Sequence, residues 1–267
     1  MFARWLRGGR RPAPAALHTQ LLARAQVAPG ADGLAVVDTL LAEVMPFAQC
    51  ALEAGFNAQA RAQPVAHAVG GRLLQGALDG VRPHAGREGV LRVALRPDGR
   101  HGGQALRHGL DWLLASLHGL PLYEVYSEKK GEEPRLCVRE PLSPDAASAS
   151  LAALLWLRED ALRAPLPFLP KSGLAYAQAL RQGIDDGKDV DETVAAALEK
   201  ARKCWCGDDN NPGEAGPDAR LALRGRDPFP DDSGSQDAAA RVRFARIAGE
   251  LFGAFLAERA LDAEALR

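Results

Sequence analysis

A disulfide framework, a strong net charge, long apolar runs and internal repeats are all missing from this chain, and each absence closes off a class of protein. Four cysteines, Cys50, Cys137, Cys204 and Cys206, are too few and too irregularly placed in 267 residues to staple a fold, so reduced thiols are expected. Lys+Arg 33 against Asp+Glu 34 leaves a formal charge of -1, so no global positive field draws the chain onto nucleic acid, and DNA contact has to come from a local patch. No apolar run approaches the roughly 20 residues needed to cross a bilayer, and the N-terminus lacks the apolar segment and small-residue cleavage site of a secretory signal. A cytoplasmic chain without membrane contact is expected. The absence of repeats excludes a solenoid.

What is present suits a globular protein of one domain, or one domain with a helical extension: 47% of residues are hydrophobic and 25% charged. Residues 1–19 carry Arg4, Arg7, Arg10 and Arg11 beside Pro and Gly, the composition of a flexible arm or of a fragment's start. From Asp32, the helical spacing of Val37, Leu41, Val44 and Ala48 predicts a helix over 33–54, which Pro46 kinks or divides. Glycines then punctuate a strand over 72–82, and RPHAGREG turns into a second strand over 90–96. Residues 104–118 place Leu106, Leu110, Leu113 and Leu117 on one helical face, with Arg107 and Asp111 directed away from it. Two alternating runs around a polar tip read as a hairpin over 122–140. The order helix, strand, strand, helix, strand, strand predicts an α/β (α+β) core over about 33–140, with a small central sheet flanked by helices.

The remainder, about 145–267, reads as a helical extension. A helix from Asp145 ends before Pro165, a short one spans 173–182, Asp191 caps a third that shares Val194, Leu198, Ala201 and Trp205 on one face, and a fourth runs over 238–260. Between the last two lies a long Gly/Pro/Asp-rich stretch, either mobile or pinned to a neighbouring surface.

The first two strands, GRLLQGALDGV and GVLRVALR, are laid out like the metal-binding hairpin of a PD-(D/E)xK nuclease. There an acid and a lysine two residues apart point to one face of a strand, aimed at a divalent ion that an aspartate of the preceding strand also holds. Asp79 suits the first aspartate. For the acid and lysine, the registers give Arg92/Ala94, Val93/Leu95 or Ala94/Arg96, and none supplies a carboxylate. A hard cation that prefers several oxygen ligands is then held poorly, which makes Asp79, Val93, Ala94, Leu95 and Arg96 degenerate positions with no catalytic residue among them. Rescue by an acid from another element would fall to Glu43, Glu53 or Glu124.

Other motifs are weaker. Cys204-Trp205-Cys206 has no second ligand pair at a useful distance, so no metal is assigned, and Trp205 reads as a core or interface anchor. His101, His108 and His118 read as solvent-facing, and no triad is arguable. Gly183-Ile-Asp-Asp-Gly-Lys188 is one residue short of a phosphate loop and reads as a turn between helices. Tyr123, Tyr126, Lys129 and Lys130 on the proposed hairpin suit DNA contact by stacking and charge, while Glu128, Glu132 and Glu133 also fit a plain solvated hairpin end. Trp205 and Phe229 are the candidate partner anchors.

The ordered segments GRLLQGALDGV, QALRHGLDWLLASLHG, PLPFLPKSGLAYAQAL, ALEKARKCWCG and RLALRGRDPF resemble the C-terminal domain of RecC, the gamma subunit of exodeoxyribonuclease V, over roughly residues 20–260. The resemblance implies a nuclease-like fold without a nuclease site, no cofactor, RecB-like and RecD-like partner subunits, and a role in splitting duplex DNA and guiding its strands within the complex. The family's subunits are several times longer, so the chain reads as a fragment or truncated reading frame, and recognition of the recombination hotspot sequence is not implied for it.

Overall fold

The computed structural model describes residues 12–57, 59–95, 102–127, 132–208, 213–229, 235–256 and 261–262. In chain order its elements are α1 (Pro14–Leu22), α2 (Gly30–Glu53), β1 (Arg61–Val69), β2 (Arg72–His84), β3 (Arg87–Ala94), α3 (Gly102–Ser116), β4 (Leu122–Tyr126) and β5 (Arg135–Arg139). Then come α4 (Pro144–Arg163), α5 (Pro170–Asp185), α6 (Val190–Cys206), α7 (Pro217–Ala222), α8 (Ser235–Leu256) and the two-residue β6 (Leu261–Asp262). The chain is a mixed α/β fold around one sheet, ordered β1-β2-β3-β4-β5-β6. All neighbours run antiparallel except β3 and β4, whose parallel pairing requires the crossover that α3 supplies.

β1 and α1 are elements that the sequence does not announce. β1 is an edge strand, so Pro64, which lacks an N–H, can face away from its one partner without breaking the ladder. Gly70 and Gly71, at φ 56° and 76°, make the tight turn into β2. Within the arm assigned to 1–19, residues 1–11 lie outside the described residues, and Pro14 opens α1 from its first turn.

Pro46 does not divide the first long helix. α2 runs unbroken through it, with Pro46 on the exposed side. By length and composition α2 could also cross a membrane. Of its apolar residues, Val37, Leu41, Val44 and Ala48 pack with Leu17, Leu21 and Val27, and Phe47 and Ala51 meet the sheet, while Val36 and Leu40 are exposed.

Two faces of the sheet are covered. On one, Leu91, Tyr123, Val125, Leu136 and Val138 pack on Phe47, Ala51 and Phe56. On the other, Val65, Val69, Leu78, Val81, Val90 and Leu122 pack on Trp112 and Leu113 of α3, Leu151 of α4, Leu174 of α5, and Phe252 and Phe255 of α8. The later helices therefore complete the sheet's own core. α3 is rotated from its expected face: Leu110 is exposed, Trp112 is fully buried and donates Nε1–H to the Glu140 carbonyl at 2.9 Å, and Asp111 points at the sheet.

A third cluster lies among the helices, where Trp205 and Phe229 pack with Tyr176, Ala197, Ala201 and Phe244. Both aromatics, 4% exposed, are spent inside the chain and present no surface to a partner. The Gly/Pro/Asp-rich stretch is pinned where it is described. The Glu214 carboxylate accepts from the Lys171 and Ser172 main-chain N–H groups at 2.8 and 2.7 Å, placing an anion on the N-terminus of α5. Asp189, two residues ahead of the expected Asp191, caps α6 by accepting from the N–H groups of Asp191 and Glu192.

Candidate functional site

The β2–β3 hairpin holds residues singled out by the sequence. Between two pairs one residue of β1 faces two of β2: Arg61 pairs with Val81 but Gln63 with Leu78, so an extra residue sits at Asp79–Gly80. Such a bulge releases main-chain groups from the ladder. Gly80 holds φ +83°, and a Cβ there would lie 2.6 Å from an Arg92 nitrogen. The positive φ favours glycine there, and a Cβ would displace the end of the Arg92 side chain.

β3 presents Leu91 and Val93 to the α2 side and Arg92 and Ala94 to the α3 side. Of the three registers, Arg92/Ala94 is the one that lies on the α3 side with both residues described, beside the Asp79 carbonyl. Val93 packs in the opposite core, Leu95 is 45% exposed beyond the strand, and Arg96 lies outside the described residues. At Arg92 and Ala94 that face of β3 carries a guanidinium and no carboxylate. Arg92 Nη1 donates to the Asp79 carbonyl at 2.8 Å and to the Leu91 carbonyl at 3.0 Å, and Nε donates to Asp111 Oδ2 at 2.5 Å. The Asp79 side chain itself is exposed.

One strand over, Glu124 pairs with Arg92 in the β3–β4 register. It is 6% exposed, and its Oε1 lies 2.6 Å from Nδ1 of His108, itself 6% exposed. His108 is thus buried rather than solvent-facing, one helical turn before Asp111 on the side of α3 that meets the sheet. Further along, Arg139 stacks on Trp112 with its carbon 4.0 Å from a ring centroid and donates Nη2–H to the Phe255 carbonyl. Glu43 and Glu53 are exposed on α2, which covers the other face, so neither reaches this cluster.

The remaining candidates separate. Tyr126 is 2% exposed, its hydroxyl accepting from Arg135 Nε at 3.0 Å, and so has no face for a base; Tyr123 is 1% exposed, its hydroxyl accepting from Arg87 Nε. Lys129, Lys130 and His101 lie outside the described residues. His118 is exposed at the end of α3, held below its ordinary pKa by partial burial, then by His67 and Arg61. Burial chiefly, and Glu214 next, push the Cys204 thiol up. Among the described residues no three His, Cys, Asp or Glu side chains converge as a metal would require.

The model of one protein family, the RecC C-terminal domain, matches residues 1–181, which include the whole hairpin, α3 and the first helices behind it. The chain belongs to this family. RecC is the gamma subunit of exodeoxyribonuclease V, the RecBCD helicase-nuclease of DNA repair and recombination. No curated protein sequence matches the chain. The family match ends within α5, so the resemblance read across ALEKARKCWCG and RLALRGRDPF extends beyond the matched residues.

The His108–Glu124 contact was illegible because nothing in HGLDW distinguishes a buried histidine from an exposed one. The Arg92–Asp111 pair was hidden by the assumption that leucines alone define the helix face. Trp112 was the available signal: a large aromatic flanked by Asp111 and Leu113 centres the face one position away from the leucine stripe.

Proposed function

We propose that the chain is a non-catalytic, DNA-guiding and subunit-assembly domain of a bacterial exodeoxyribonuclease V gamma subunit, acting in double-strand break repair and DNA end processing in the cytoplasm. Its core over about 33–140 is read as a nuclease-like PD-(D/E)xK-type scaffold, with the helices of 145–267 as its extension. RecB-like and RecD-like subunits are its partners, and DNA meets it mainly within that complex. One observation carries the non-catalytic reading: at the strand position where a metal needs an acid stands Arg92, whose charge is balanced by Asp111 inside the fold. Ala94, two residues on, supplies no lysine to steady an attacking water.

A second reading keeps an active metal-dependent nuclease with a migrated acid, and the burial of Glu124 on the neighbouring strand is what favours it. His108 occupies one oxygen of that carboxylate, which argues against a free ligand. Digestion of forked duplex DNA by the purified chain with magnesium separates the two, since the proposed reading expects no product. For assembly, Trp156 on α4 replaces Trp205 and Phe229 as the aromatic of choice, being 64% exposed. Aromatic side chains concentrate binding energy when an interface buries them. Trp156→Ala is expected to weaken co-purification with the partner subunits while leaving the thermal midpoint of the isolated chain in place, and unchanged co-purification would remove Trp156 from the interface.

A further inference from the structure

We propose that Arg92 is a tethered cation: its guanidinium fills an oxygen cradle suited to a divalent metal ion, and that cradle accepts such an ion once the arginine is removed. The inference rests on the nuclease-like reading above and deepens it by naming what occupies the metal's place.

The cradle is all oxygen. Two main-chain carbonyls, Asp79 and Leu91, and one carboxylate, Asp111, accept from the same guanidinium, and Glu124 is the next residue across the ladder. Carboxylates and carbonyls are what hard divalent cations select, with water completing the shell. The backbone is shaped around the charge. The bulge at Asp79–Gly80 turns a carbonyl out of the ladder, and Gly80 leaves room that a Cβ would take from the guanidinium. The setting is shielded, with the Arg92 and Asp111 side chains 19% and 21% exposed, so an anion left there alone is poorly screened by solvent.

Removing the arginine side chain empties the cradle while keeping its oxygens. Asp111 then lacks the guanidinium that it accepts from, while the Asp79 and Leu91 carbonyls stay in place. A small, hard cation restores positive charge among these oxygens. Because Ala94 provides no lysine, the refilled site is expected to bind metal without cutting DNA.

The test uses the full chain and manganese, followed by calorimetry and by the electron paramagnetic signal of the free ion. Wild type is expected to bind none at the cradle. Arg92→Ala is expected to bind stoichiometrically and to gain thermal midpoint with manganese, and Arg92→Ala/Asp111→Asn to lose both. A folded Arg92→Ala that ignores manganese overturns the proposal, as does binding that survives Asp111→Asn. If Arg92→Ala does not fold, Arg92→Gln keeps a hydrogen-bonding stem without the charge. A manganese-dependent rise in its midpoint, absent from wild type, supports the tethered cation, whereas no rise, or a metal-free midpoint equal to that of wild type, overturns it. DNA cutting by wild type would sink the non-catalytic reading instead, so the two failures are distinguishable.

Discussion

The two faces of the central sheet are built from the same strands and hold together by different means. Toward α2, β3, β4 and β5 offer Leu91, Tyr123, Val125, Leu136 and Val138, packed on Phe47, Ala51 and Phe56. Toward α3, the same three strands offer Arg92, Glu124 and Arg139, met by Asp111, His108 and Trp112. The apolar face gains from area removed from water. The polar face gains little on balance, because each buried charge is desolvated before it is paired, and a well-packed apolar replacement could serve as well. These ionic groups lie beside the bulge at Asp79–Gly80, and under the proposed nuclease-like reading the sign of one of them, Arg92, is opposite to what metal chemistry needs.

The largest test of the contrast lies on the apolar face. Phe56 is fully buried, stacks on His84 at 4.2 Å between ring centroids and meets the edge of Tyr123. Phe56→Ala is expected to destabilise the chain by about 3–5 kcal/mol in urea unfolding, the usual cost of emptying an aromatic site. A loss below about 1 kcal/mol would mean that this face collapses around the cavity and is not tightly packed.

Next in size is the polar face. Arg92→Ala in the absence of divalent ions is expected to cost about 1.5–3 kcal/mol, the range for hydrogen bonds to charged groups. Because Arg92 and Asp111 act as a unit, a double-mutant cycle with Asp111→Ala is expected to show a coupling of about 0.5–3 kcal/mol. Additive single effects would show that the pair is incidental.

A third test uses pH. His84 is held below its ordinary pKa by burial first and by Arg87 second. Its neutral form is favoured in the fold, so the unfolded chain takes up protons first as the solution is acidified, and stability falls with pH. That contribution is fully present above the unfolded histidine value of about 6.5 and is lost as pH drops through the lower folded value. His84→Phe, which keeps a ring against Phe56, is expected to flatten the slope of the unfolding midpoint between pH 7 and 5. An unchanged slope would assign it to His118, which is shifted in the same direction.

The smallest effect is expected at the sheet's edge. Arg61 pairs with Glu88 at 2.6 Å between side chains 45% and 43% exposed, and water already solvates both. Arg61→Ala is expected to leave the thermal midpoint within error, and a clear drop would mean that the β1–β3 rim is better shielded than it looks.

Much of this contrast was legible in the sequence and part of it was not. The strands β2 to β5 and the helices α2 to α6 and α8 all follow from periodicity and spacing, because the apolar residues that define them lie close together in the chain. β1 stayed hidden behind Pro64 and a run of alanines whose alternation carries little hydrophobic contrast. The polar cluster could not be read at all: it joins Arg92 to Asp111, 19 residues away, and His108 to Glu124, 16 away, across a helix and two strands. Trp205 and Phe229 looked available for a partner because their neighbours are polar, but the packing of α5, α6 and α8 encloses both. A polar neighbourhood in sequence says little about an aromatic whose partners are long-range.

The most direct measurement of the central claim is a magnesium titration of the purified wild-type chain with forked duplex DNA, run beside Asp79→Asn and followed by product length on a denaturing gel. The expected result is intact DNA at every magnesium concentration for both proteins. Magnesium-dependent cutting by the wild type that disappears in Asp79→Asn would contradict the account, since it would require a working metal at the strand where Arg92 stands.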